Sequence, residues 1–99
     1  MNINNLMAQA QKMQKDIQKK QEEINSTEFV GESEWVEVIL LGDKSIKSIK
    51  IKKKETMDEE DLECLEDMIK IAINDAQNKI NKAIENKMGA YNKLAGGLF

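Results

Sequence analysis

The sequence predicts an α+β fold in which two amphipathic helices flank a small antiparallel sheet. Apolar residues recur every three or four positions near the N-terminus and again in the C-terminal half, which is the period of a helix packed along one face. Between these segments, short stretches of alternating apolar and polar residues are separated by turn residues, as is typical of strands. The predicted order is α-β-β-β-α with a three-stranded antiparallel sheet, and 99 residues suffice for one domain only.

The first predicted helix covers residues 1–25 at most and has one narrow apolar stripe. Its apolar side chains follow a heptad-like spacing that is interrupted at Lys20. Helical stability in water comes mainly from burying such a face, so the stripe needs a partner surface. That surface belongs either to the same domain or to a second copy of the chain. The stripe consists of Leu6, Ala10, Met13, Ile17 and Ile24.

Three strands are predicted within residues 26–54. They cover residues 27–30, 34–41 and 46–52, and a Gly-Asp-Lys-Ser turn joins the last two as a hairpin. Ile46 is out of phase with the two later isoleucines of the third strand. We therefore expect either a β-bulge close to it or a side chain that faces across the sheet.

The middle strand is apolar on both faces, with Val36, Val38 and Leu40 on one of them. A strand with one face in water would alternate more cleanly between apolar and polar residues. We therefore expect a helix of the same chain or a second subunit to cover the other face as well. The apolar residues assigned to that other face are Trp35, Ile39 and Leu41.

The second helix is predicted at residues 57–88, with Thr56 or Asp58 as its N-cap and acidic residues in its first turn. A main apolar stripe begins at Leu62. A second stripe beside it indicates that the helix contacts more than one neighbour. Residues 89–99 are expected to form a flexible tail. The second stripe consists of Cys64, Met68 and Ile71.

These elements leave more apolar surface than one small chain can cover. A homodimer is the economical explanation, since two-fold pairs are by far the commonest assembly. The predicted dimer interface combines the first-helix stripe, the second face of the middle strand and the second stripe of the last helix. Its residues are Leu6, Ala10, Met13, Ile17, Ile24, Trp35, Ile39, Leu41, Cys64, Met68 and Ile71.

The residue inventory argues against an enzyme. The chain has no His, which is the commonest general acid–base residue and a frequent metal ligand. Cys64 has no second Cys or His to activate it, and the acidic run from Asp58 to Asp67 has the position of a helix cap. We therefore expect no catalytic residue, no metal site, no cofactor and no small-molecule substrate.

Membrane insertion and secretion are both disfavoured by the sequence. The longest apolar run, Val38–Leu41, is far too short to span a bilayer. The first residues also lack the charged and then apolar profile of a signal peptide. We therefore expect a cytoplasmic protein without a membrane partner.

Charge is strongly segregated along the chain, although the net charge is only −3. Residues 44–54 contain six lysines and no acidic residue, whereas residues 55–67 contain eight acidic residues and no lysine. The local sign of charge matters more than net charge for steering a partner. The acidic balance nevertheless counts against nucleic acid, because most dedicated binding domains are basic.

Three groups of lysines are candidates for phosphate contacts, and the plain alternative is that they only solubilise the surface. Phosphate contact needs mobile ammonium groups and no base reading, and a dimer would double each group. Because the chain has no Arg, discrimination between DNA sequences is expected to be weak. The candidates are Lys12, Lys15, Lys19 and Lys20 on the first helix, Lys79, Lys82 and Lys87 on the second, and Lys50, Lys52 and Lys54 on the third strand.

The order of these parts resembles the YbaB/EbfC family of bacterial nucleoid-associated proteins. The resemblance begins with NLMAQAQKMQKDIQKKQEEI (Asn5–Ile24) and FVGES (Phe29–Ser33). It continues through VEVILLGDKSIKSIKI (Val36–Ile51) to LECLEDMIKIAINDAQNKI (Leu62–Ile80). KMG (Lys87–Gly89) and a terminal GGLF complete it, so nearly the whole chain is covered in order.

This resemblance implies an intertwined α+β homodimer with projecting helical arms. It also implies binding to double-stranded DNA, altered DNA conformation, and a role in nucleoid organisation and gene regulation. A protein–protein adaptor, which would grip another protein with its helical arms, is the alternative. The family has no sharp binding motif, so the lysines of the first helix and of the late second helix are the best candidates for contact with DNA.

Overall fold

The chain was analysed as a computed structural model that describes the backbone of residues 2–98 and the side chains of residues 2–89. The described residues confirm the predicted α-β-β-β-α order and the α+β class. Each predicted element is present, with bounds that differ by a few residues. The elements are α1 (Ile3–Ser26), β1 (Glu28–Glu32), β2 (Val36–Leu41), β3 (Ile46–Ile51) and α2 (Glu59–Leu98).

The strands form one antiparallel sheet in the order β1-β2-β3. A register shift interrupts the β2–β3 pairing, because Ile39 lies opposite Ser48 while the next residue, Leu40, lies opposite Ile46. The extra residue, Lys47, forms the β-bulge that the phase of the isoleucines predicted. The bulge brings Ile46 onto the same sheet face as Ile49, so the isoleucines of β3 share one face.

Helix α2 packs on this face of the sheet, over β1 and β2. The core consists of apolar side chains from β2 and from small or branched positions of α2. Close approach requires a glycine on β1, because a Cβ at Gly31 would overlap the carbonyl oxygen of Ala72 and lie 2.6 Å from the Ala76 nitrogen. The fully buried core residues are Val36, Val38, Leu40, Ala72, Ala76 and Ile80.

Helix α1 is anchored only through its C-terminal end, as far as the described side chains show. Ile24 is 1% exposed, and its backbone lies so close to Gly42 of the β2–β3 turn that a Cβ there would overlap it. Residues 2–16 are exposed. The radius of gyration is 19.6 Å, against about 13 Å for a compact chain of this length. The molecule therefore has a small body and long helical arms.

Three boundaries differ from the predictions for physical reasons. Strand β1 continues through Gly31, where the missing side chain lets the strand approach α2. Helix α2 continues to Leu98 rather than ending near residue 88, because residues 90–95 are mostly good helix formers. The predicted tail is therefore helical as far as the structure describes it, and Phe99 lies outside the described residues.

The N-terminus of α2 confirms the predicted cap. The Asp61 amide donates to Asp58 Oδ1 at 2.8 Å, and the Asp58 amide donates to Asp61 Oδ2 at 3.2 Å. This reciprocal arrangement is a capping box. Lys53 also lies 3.4 Å from Asp61 Oδ1 and 3.9 Å from the centre of the Trp35 ring, so it ties the start of α2 to the start of β2.

Substitution of two glycines tests the helix–sheet contact. Gly31→Ala should lower the free energy of unfolding by about 2 kcal/mol or more, because its Cβ meets backbone atoms that cannot move separately. Gly89→Ala is the matched control, since nothing lies within 4 Å of its Cβ and alanine favours a helix by up to about 1 kcal/mol. Urea denaturation at equal protein concentration measures both values. Equal stability of the two variants would contradict this account of Gly31.

Candidate nucleic-acid interface

Three lysines of α1 form a stripe on the projecting arm. Lys12, Lys15 and Lys19 are spaced by three and four residues, so they lie on one side of the helix. At about 100° per residue this side is opposite the apolar stripe that contains Ile24, which contacts the body. All three lysines are exposed, and among the described residues none has a carboxylate within 4.0 Å. Their ammonium groups therefore face solvent, away from the domain.

Lys20 is half-buried and makes an interaction of its own, so it differs from its three neighbours on α1. On α2, Lys82 is exposed, whereas the ammonium group of Lys87 lies 4.0 Å from Glu23 Oε2 of α1. That pair bridges the two helices where the arms leave the body. Lys82 and Lys87 are therefore on the same end of the molecule as the α1 stripe.

Lys79 has a structural role that sequence reasoning missed. Its ammonium group donates to the carbonyl oxygen of Val30 at 2.6 Å and lies 3.5 Å from Asp75 Oδ2. The same carboxylate oxygen accepts the Glu32 amide at 3.0 Å. These two side chains thus satisfy backbone groups on the free edge of β1, which is one way in which proteins protect an edge strand. Their i, i+4 spacing was the available signal, but the partner strand was not visible in the sequence.

The lysines of β3 lie in a mixed electrostatic environment. Lys50, Lys52 and Lys54 are exposed, as predicted, but they follow the strand towards the end of the sheet where the acidic start of α2 lies. Lys50 is also directly opposite Glu37 in the β2–β3 register. The structure therefore separates these lysines from those of the α1 arm and does not bring the ten candidates onto one surface.

The residues predicted at a dimer interface are also divided by the structure. Ile24 is buried within its own chain, and Trp35, which precedes β2, packs against the core beneath Lys53. The strand alternation that assigned Trp35 to the second face does not extend to it. Half-buried members of the set are Ile17, Ile39, Leu41 and Met68, and exposed members are Leu6, Ala10, Met13, Cys64 and Ile71.

Sequence reasoning omitted a further group of exposed apolar residues. On β3, Ile46, Ile49 and Ile51 are 53%, 45% and 44% exposed, and Leu62 at the start of α2 is 50% exposed. Periodicity assigned Leu62 to the main buried stripe of α2, but that part of the helix extends beyond the strands that α2 covers. The isoleucines were assigned to the covered face of the sheet, but α2 does not reach the third strand in the described structure.

The described residues contain no enclosed cavity for a small ligand and no group of Cys, Asp and Glu that could hold a metal ion. Within the same residues, neither helix has an apolar stretch sufficient to cross a membrane. The functional candidates are therefore exposed surfaces, of which the lysine stripe on the α1 arm is the most coherent in charge and direction.

Comparison with known proteins agrees with this surface and with the fold. The model of the YbaB/EbfC DNA-binding family matches residues 1–97. The chain belongs to this family. It is 46% identical over 95 residues to a nucleoid-associated protein of Lactococcus lactis subsp. lactis (strain IL1403), covering 94% of this chain and 95% of that protein. Family membership makes it one of a group of nucleoid-associated DNA-binding proteins rather than of a family of enzymes.

Two further relatives carry the same description. A nucleoid-associated protein of Ligilactobacillus salivarius (strain UCC118) is 39% identical over 100 residues, covering 99% of this chain and 95% of the relative. One from Enterococcus faecalis (strain ATCC 700802 / V583) is 40% identical over 94 residues, covering 93% and 89%. The similarity thus extends over the arms as well as the sheet.

Lys79→Met and Lys82→Met separate structural from ligand-binding lysines. Loss of the Lys79 ammonium leaves the Val30 carbonyl without its partner, so the free energy of unfolding should fall by about 0.5–1 kcal/mol. Lys82→Met should leave stability nearly unchanged and weaken binding to duplex DNA, because its ammonium group has no carboxylate within 4.0 Å in the described chain. Urea denaturation and fluorescence anisotropy measure the two effects. The opposite pattern would contradict this division.

The Asp75 carboxylate predicts a pH-dependent contribution to stability. The hydrogen bond from the Glu32 amide, followed by the charge of Lys79, lowers the pKa of Asp75 below its ordinary value. A lowered pKa stabilises the fold at pH values above the pKa of the unfolded chain, and this contribution is lost as pH falls through the folded value. The difference in unfolding free energy between wild type and Asp75→Asn should therefore be largest near neutral pH and shrink below about pH 4. A difference that stays constant down to about pH 2 would contradict this role.

Proposed function

We propose that this protein binds duplex DNA as a homodimer, with little sequence preference, and that it alters DNA conformation in the nucleoid. The observation that carries the proposal is the stripe of Lys12, Lys15 and Lys19 on the outward side of a projecting helix. Membership of a DNA-binding family and the names of the relatives support the same function. A role in gene regulation follows from altered DNA conformation.

The stripe has the dimensions and chemistry of a phosphate-binding surface. From Lys12 to Lys19 the helix rises about 10 Å, a length over which one DNA strand presents about three phosphates. Lysine ammonium groups on flexible stems can adapt to these phosphates without reading base edges. The absence of Arg removes the side chain that most often reads guanine, so affinity should depend on salt much more than on sequence.

Helical arms provide a physical route to a change in DNA shape. In a homodimer each protomer contributes one α1 stripe, together with Lys82 and Lys87 at the base of the arm. Two rigid arms that hold separate phosphate tracks can bend a duplex or bridge two segments, and the cost of bending is offset by the additional phosphate contacts. The lysines of β3 provide weaker, secondary contacts because acidic residues lie close to them.

An adaptor function is favoured by one different observation. Leu6 and Met13, on the apolar side of the α1 arm, are 46% and 41% exposed. An exposed apolar stripe on a helix can dock into a groove on another protein. This function needs no contact with DNA, so binding experiments with purified components distinguish it from the proposed one.

Neutralising the α1 stripe tests the proposed function. We expect the combined variant Lys12→Gln, Lys15→Gln and Lys19→Gln to bind a labelled duplex more weakly by fluorescence anisotropy. The slope of log affinity against log salt should become shallower by close to one unit for each phosphate that the variant no longer neutralises. Titrations at about 50 and 200 mM salt, with two duplexes of unrelated sequence, measure both salt dependence and sequence preference.

Lys70→Gln is the matched control, because Lys70 is an exposed lysine outside the candidate set. It should retain the affinity and salt slope of the wild type. An unchanged slope for the triple variant would remove α1 from the DNA interface. No binding by the wild type at low salt would favour the adaptor, and a strong preference for one duplex would contradict phosphate-based recognition.

A further inference from the structure

An apolar groove lies between α2 and the third strand. Its floor is the row of Ile46, Ile49 and Ile51, which the bulge has placed on the helix-bearing face of the sheet. Its wall is the side of α2 that contains Leu62 and Ile73. We call this surface the β3–α2 groove. It continues the core of the domain outward, yet in the described structure no element of the same chain covers it.

The two sides of α2 are not equivalent. On one side, Asp75 and Lys79 reach the edge of β1 and satisfy its free backbone groups. At about 100° per residue, Ile73 lies roughly 160° from Asp75 and therefore on the side that faces β3. The β1 side of the sheet is thus closed by polar side chains, whereas the β3 side remains open and apolar.

Charged residues border the groove with opposite signs. The outer rim of α2 on this side carries the exposed acidic residues Glu63 and Glu66. The strand that forms the floor carries the exposed lysines Lys50 and Lys52, whose long stems can reach around the sheet edge. An incoming surface that fits must therefore be apolar, with acidic groups to meet β3 and basic groups to meet α2. The groove of a second copy has this pattern.

We infer that the β3–α2 groove is the surface through which two copies of the chain pair. In a two-fold dimer each surface contacts its own copy, so α2 of one protomer lies over β3 of its partner and the reverse contact forms at the same time. The arrangement buries both isoleucine rows and places the acidic rims against the lysines of β3. It also explains why six lysines and eight acidic residues occupy adjacent segments. This inference rests on the homodimer in the proposed function.

Sedimentation equilibrium without DNA tests the inference. Ile49→Asp should weaken dimerisation by on the order of 100-fold or more, since the two-fold axis places the charge in the interface twice. Ile71→Asp is the matched control: Ile71 is 52% exposed and lies on the β1 side of α2. It should retain the dissociation constant of the wild type. Circular dichroism checks that both variants remain folded.

A charge exchange keeps the test decisive even if Ile49→Asp fails to fold. One variant carries Lys50→Glu and Lys52→Glu, and the other carries Glu63→Lys and Glu66→Lys. Each should self-associate at least about 10-fold more weakly than the wild type at low salt, and their mixture should form heterodimers more tightly than either forms homodimers. That recovery requires the two elements to meet across the interface.

Three results would overturn the inference. They are a wild-type dissociation constant for Ile49→Asp, equal weakening by Ile49→Asp and Ile71→Asp, and a mixture that associates no better than its components. A wild-type chain that stays monomeric would overturn the homodimer as well. Because these measurements contain no DNA, they are independent of the titrations with the α1 lysine variants, which test DNA binding separately.

Discussion

The close contact between α2 and β1 is the constraint on which the rest of the structure depends. Gly31 has no side chain, and Ala72 and Ala76 have small ones, so helix and sheet approach until a single added methyl group would overlap backbone atoms. This contact sets the position of α2 over β1 and β2 and thereby buries the apolar face of the middle strand. It also brings Asp75 and Lys79 within hydrogen-bonding distance of the β1 edge.

The same contact determines what is left exposed. Because α2 lies over β1 and β2, the isoleucines of β3 share the core face of the sheet without a partner in the described chain. Helix α1 is held only at its C-terminal end as far as side chains are described, so its lysine stripe extends away from the body. A small body thus separates two kinds of surface, an apolar one suited to a second copy and a basic one suited to a polyanion.

Electrostatics assigns different tasks to lysines that look alike in composition. Lys53 is 16% exposed beneath Asp61 and over Trp35, and Lys79 closes a strand edge, so both stabilise the fold. Lys12, Lys15 and Lys19 make no such contacts among the described residues and remain available to phosphates. An acidic net charge is therefore compatible with a locally basic arm, because the acidic residues are concentrated at the other end of α2.

Local patterns were enough to predict the order of elements, the capping box at Asp58, the bulge close to Ile46 and the family, because these depend on periodicity, turn chemistry and residue order. They also identified the exposed lysine stripe of α1, since a helical period places those residues on one side. The folded structure was needed to show which lysines are structural and which isoleucines stay exposed. Those properties depend on the lateral position of α2 over two of three strands, and a contact between segments more than forty residues apart leaves no local pattern in the sequence.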